Sequence, residues 1–146
     1  MDADHLPLGD PVWRDAYLIG GEVRLTEVAL ASLISQDRVR SVTGTFFLKR
    51  GDEALDPTET IQRVTLNVIS LEQEPTLASV ASRMTRTEPV LVIERELTGA
   101  GLIKRQFGRL KPTSDGKKEA ARLVAANAHV RGPRGVAYNG PSAADH

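Results

Sequence analysis

TEPVLVIERELTGAGLIKRQFGR, residues 87–109, is the stretch whose reading decides the fold. Thr87 stands where a helix cap is wanted, and Pro89 falls in the first turn, where a missing amide hydrogen costs nothing. Val90, Ile93 and Leu97 recur at helical spacing as a buried stripe and leave Glu94, Arg95 and Glu96 for solvent. Gly99 and Gly101 supply a C-terminal turn. Leu102-Ile103 then begins a buried strand, and residues 104–110, KRQFGRL, are short enough for a tight hairpin. Helix, turn and basic hairpin follow without a linker.

Working outward, the same order is found 64 residues earlier, where Leu33, Val39 and Arg40 stand in the places of Leu97, Ile103 and Lys104. Asp10-Pro11 is a helix start, Gly20-Gly21 a stop, and residues 24–36 carry Leu25, Val28, Ala29 and Leu33 on one face. Residues 38–42 alternate as a strand, Thr43-Gly44 is a turn, and residues 45–49 return. Asp56-Pro57-Thr58-Glu59 reads as a second helix start, with Glu59 closing a capping box ahead of Ile61, Val64, Val68 and Leu71. Glu72-Gln73-Glu74-Pro75 breaks that helix, and a short one follows over 76–84. A last helix is predicted over 114–128. From Arg131 the residues are Gly, Pro, Ala and Ser without an apolar period, which predicts a disordered tail. The expected fold is mainly α with short β-hairpins, arranged as tandem winged-helix-like repeats. Its divisions are an arm (1–9), a first unit (10–55), a second unit (56–130) and the tail (131–146).

Two resemblances attach to these residues. Residues 97–104, LTGAGLIK, followed after the hairpin by residues 110–116, LKPTSDG, resemble the second half of bacterial winged helix-turn-helix regulators of the multiple-antibiotic-resistance type, in which a recognition helix ends in leucine and Leu-Thr-x-x-Gly opens the next helix. Here Lys111-Pro112 separates Leu110 from Thr113. The likeness covers residues 57–128 and implies the fold alone. Residues 16–24, AYLIGGEVR, with residues 28–33, VALASL, and a basic hairpin, resemble an actinobacterial domain family marked by a Tyr-Leu-x-Gly-Gly segment. That resemblance extends through both units and implies no activity. Members of that family often continue into membrane segments, which are not seen in this sequence.

With 146 residues and 40% apolar side chains the chain can bury a core. The absence of cysteine excludes disulfides, thiolate metal sites and cysteine nucleophiles. No apolar run approaches the ~20 residues that span a bilayer, and no signal peptide is visible, so a cytoplasmic location is expected. The zero net charge conceals an asymmetry. Residues 1–100 hold 10 Lys+Arg against 16 Asp+Glu, and residues 101–146 hold 9 against 3, so −6 faces +6.

Catalytic chemistry finds little support. His5 and His146 lie in the tails, and His129 has no carboxylate at helical spacing. Gly20-Gly21 lacks the Gly-Lys-Ser/Thr ending of a phosphate loop. Glu22 with Glu27, and Glu72 with Glu74, are charge runs of a solvated face. No enzyme, metal or cofactor is expected. The candidate binding residues are the cations Arg95, Lys104, Arg105, Arg109, Lys111, Lys117 and Lys118, which suit an anionic partner. Against DNA stand Glu88, Glu94 and Glu96 on the helix that would enter the groove. An acidic helix beside a basic hairpin fits docking of a protein partner or self-association better. DNA binding is the alternative, and membrane binding by this chain alone is not expected.

Overall fold

The computed structural model describes residues 5–49 and 55–144, and its centre is the long helix α1 (Pro11–Ser35). Asp10 caps it by accepting a 2.9 Å hydrogen bond from the Val12 amide, with Pro11 in the first turn as expected. As expected, helical conformation ends at Gly20-Gly21, so α1 is two helices joined across a kink. Gly21 has φ +69° and ψ −157°, a region open to glycine alone, and α1 resumes directly beyond it.

The hairpin β1 (Val39–Val42) and β2 (Thr45–Leu48) follows α1, then α2 (Thr60–Ser70), α3 (Leu77–Met84) and α4 (Glu88–Gly99). A second hairpin, β3 (Ile103–Gln106) and β4 (Arg109–Pro112), leads into α5 (Ser114–Ala126). The chain is therefore mainly helical with two antiparallel strand pairs. One apolar core unites Leu25, Val28 and Leu33 with Ile61, Val80, Met84, Ile93 and Leu97, so it runs across the expected boundary at 55/56. The end of β2 is covered from the far half as well. Phe46 donates to the Pro75 carbonyl at 2.9 Å, and Thr45 bridges to Thr76.

The two helix–hairpin joints share their bonding. Arg38 N donates to Leu33 O at 2.8 Å, and Leu102 N to Leu97 O at 3.0 Å. Lys49 N closes the first hairpin on Arg38 O at 2.9 Å, and Thr113 N closes the second on Leu102 O at 3.0 Å. Asp37 and Gly101 both take positive φ, at 59° and 74°. Both hairpin turns do so at two successive residues, Thr43-Gly44 and Phe107-Gly108.

Several expectations need correction. The second helix opens at Thr60, because the Asp56 carboxylate accepts from Thr58 N at 2.8 Å in a local turn and Glu59 turns its side chain inward. Leu71 lies one residue past that helix and is 64% exposed. Thr87 is the N-cap residue of α4 as expected, but its hydroxyl donates to Met84 O and makes no side-chain cap bond. The short helix is capped instead by reciprocal Thr76 and Ser79 bonds. In α5 only Gly116 is buried, pressed so near the hairpin base that a Cβ there would meet Leu102 O at 1.9 Å.

The largest correction is the tail. Residues beyond 131 form α6 (Gly132–Asn139) and a 3-10 turn (Pro141–Ala144), packed mainly on α1. Pro133 stands in the first turn of α6, and Gly140, φ +87°, follows its end. Val136, Ala137, Tyr138 and Ala143 are buried. Arg134 grips both oxygens of Asp10 at 2.8 and 2.7 Å, Tyr138 donates to Asp15 at 2.6 Å, and Arg24 donates to the carbonyls of Val136 and Ala137.

These contacts set an acid response. Burial alone would raise the Asp10 carboxyl, but the Arg134 and Val12 hydrogen bonds outweigh it and hold it below its ordinary value. A depressed carboxyl contributes stability above its unfolded pKa, near pH 4, and loses it as pH falls through the folded value. Asp15 has the opposite sign, raised by burial that the Tyr138 bond only partly offsets. Asp10→Asn, which keeps a cap oxygen, should therefore flatten the loss of stability below about pH 4, and Asp15→Asn should remove a gain in stability that sets in just above about pH 4 as pH falls toward it. Urea midpoints across that range check both signs; matching curves for the two variants would contradict the assignment.

Candidate functional site

The second hairpin presents two different faces because side chains alternate along a strand. Lys104 stands across from Lys111, and Gln106 across from Arg109, on the outer face. Ile103, Arg105, Leu110 and Pro112 share the inner one. Among the described residues Lys104, Arg109 and Lys111 make no ion pair and are exposed, so three of the expected cations converge on one surface. Arg105 does not join them. Its guanidinium donates to Glu94 at 3.1 Å and to the turn carbonyl of Gly108 at 3.3 Å, tying the hairpin tip to α4.

Arg95 is also elsewhere. It reaches back along α4 to Glu88 at 3.4 Å, toward the helix start and away from the hairpin. Lys117 and Lys118 are exposed on α5, and as adjacent residues about 100° apart around a helix they cannot both face the hairpin. On α1, Thr26 is buried and Arg24 is spent on Glu27 and α6.

The tip carries a residue that reading the sequence had placed only inside a wing. Phe107 is 92% exposed and has φ +52°, which is strained for a bulky side chain. Position 107 precedes a glycine in a two-residue turn, where Asn, Asp or Gly would be unstrained. That mismatch is the signal that could have singled it out.

The outer side of α4 lines a groove of about 790 Å³ against the N-terminal arm and α2. Leu8, Val64 and Val92 contribute apolar surface, over the buried Trp13 and Ile93. Asp10, Glu88 and Glu96 with Arg14 supply the charges, an acidic excess. Glu96 makes no ion pair among the described residues, whereas Glu88 holds Arg95 and Asp10 holds Arg134. Sequence reading found these carboxylates but not the groove, since the arm that walls it has no periodic signal. Behind α4, burial and the charges of Glu94 and Glu22 push the Tyr17 phenol up to about 12, so it stays neutral.

A second groove of about 330 Å³ is lined by Leu30, Ile34, Phe46, Leu77 and Val136. A buried polar cluster sits between α1 and α2. Glu59 accepts from Gln36 at 2.8 Å and from Gln62 at 3.1 Å, and Gln62 also donates to Leu6 O. These bonds fasten the arm, and nothing in the cluster opens to a reactant. Among the described residues no group of His, Asp and Glu is placed to hold a metal, and no helix is long and apolar enough to cross a membrane. Comparison with protein-family models, curated proteins and solved structures finds no match to this chain.

Proposed function

We propose that the chain is a non-catalytic interaction module of two tandem winged-helix-like units, which docks a partner segment of apolar and cationic character in the groove along α4. The groove carries this reading: an apolar floor with Glu88 and Glu96 at its edge is suited to a basic amphipathic segment and unsuited to phosphate. Support for the tandem units comes from the matched bonds at the two helix–hairpin joints, 64 residues apart. The chain's single tryptophan, Trp13, lines the groove and serves as the probe. Titration with a synthetic Leu/Lys amphipathic helix should change Trp13 emission saturably, more weakly as salt rises. Val92→Glu, on the partly exposed wall, should abolish the change without lowering the melting temperature. An unsaturable response, equal in both proteins, would remove the docking reading.

The cationic outer face of the second hairpin favours one alternative, a DNA-binding regulator. In that case labelled random duplex should bind with log K falling against log salt at a slope of about −2 to −4, flattened when Lys104, Arg105, Arg109 and Lys111 are all replaced by alanine. On the docking reading, affinity for duplex stays on the order of 10⁻⁴ M or weaker at physiological salt and differs little between the two proteins.

A further inference from the structure

Phe107 is unfavourable in the isolated chain on two counts. Its ring is 92% in water, and its backbone takes a left-handed conformation that asparagine or glycine would hold without strain. No packing in the described fold compensates either. Beside it, Arg109, Lys104 and Lys111 form a cationic face, and Arg105 fixes the tip through Gly108 and Glu94. The hairpin is thus a rigid, positively charged projection with an aromatic end.

The same molecule carries the complementary shape. The α4 groove has room for a phenyl ring among Leu8, Val64 and Val92, and Glu96 and Glu88 stand at its edge. We infer that the partner segment is the second hairpin of another copy of this chain, with Phe107 seated in the α4 groove and Lys104, Arg109 and Lys111 facing Glu88 and Glu96. This rests on the docking reading and names its occupant.

Projection and groove are different surfaces of one chain, so the contact is heterologous: each copy has a free projection and a free groove, and association leads to rings or open chains unless two copies engage reciprocally. A hairpin tip covers less area than a stable interface needs, so association is weak, with Kd on the order of 10⁻⁴ M, and falls with salt.

Sedimentation equilibrium of the full chain over a range reaching about 1 mM checks this, beside Phe107→Ser and Val92→Glu. Each variant should weaken association at least about tenfold, with the far-ultraviolet spectrum and melting temperature of the parent. The decisive sample is the equimolar mixture. The Phe107→Ser chain keeps its groove and the Val92→Glu chain keeps its projection, so together they should form a 1:1 pair that neither forms alone. A parent chain that stays monomeric throughout, or a mixture that behaves as the sum of its parts, would overturn the inference. If the parent is monomeric while the Leu/Lys peptide still saturates Trp13, the self-contact alone fails; if the peptide fails too, the docking reading goes with it.

Discussion

Removal of residues 131–146 is expected to unfold the chain at room temperature or leave it close to unfolding. The segment contributes Val136, Ala137, Tyr138 and Ala143 to the core and anchors α1 through Asp10, Asp15 and Arg24. Fully burying one valine-sized side chain is worth about 1.5–3 kcal/mol. Several such losses, together with ionic side chains left half-buried and unpaired, approach the ~5–15 kcal/mol that holds a domain of this size folded. Urea unfolding followed by far-ultraviolet circular dichroism measures the effect. A truncated chain with the parent's midpoint would mean that α6 is a passenger and that its hydrogen bonds to α1 contribute nothing.

The second large effect is at the helix–hairpin joints. Leu33 and Leu97 are both almost wholly buried, at 0% and 1% exposure, and the carbonyl of each accepts the same kind of closing bond. Leu→Ala at either place should cost about 2–5 kcal/mol, from lost transfer energy and the cavity left behind. If the two joints are equivalent in packing as well as in bonding, the two costs should agree to within about 1 kcal/mol. A loss below about 0.5 kcal/mol at one of them would place that leucine on a surface that relaxes freely.

What the sequence made legible follows from which signals are local. Val90, Ile93 and Leu97 repeat at 3.6 residues, Thr43-Gly44 ends its strand where expected, and the turn of the second hairpin falls within the expected residues 104–110. Those elements are found within a residue or two. Length was not the obstacle at α6, since α3 is also 8 residues long and its apolar spacing was legible; the segment 132–144 was hidden because its Gly and Pro content imitates a loop. Its punctuation was nevertheless present, Pro133 just inside the start and Gly140 just past the end. The cations show the limit of spacing arguments. Lys104, Arg109 and Lys111 share a face because strand alternation puts them there, while Arg105, adjacent in sequence, turns inward to Glu94. Arg95 is expected beside them from its exposed place on α4, but its guanidinium reaches back to Glu88 instead. The α4 groove was invisible because one wall is the aperiodic arm, held by long-range contacts such as Gln62 to Leu6.

The docking of α6 on α1 also fixes an order of events during synthesis. Arg134 and Asp10 are separated by 124 positions, so α1 leaves the ribosome long before the helix that covers it. The first hairpin waits too, since its strand end is completed only by Pro75 and Thr76. At about 5–20 residues per second, the Asp10–Arg24 side of α1 stays open for on the order of ten seconds while the rest is made. A nascent chain that stalls before residue 132 therefore displays an apolar helix face that α6 has not yet closed, which makes residues 132–144 the step that completes the described core.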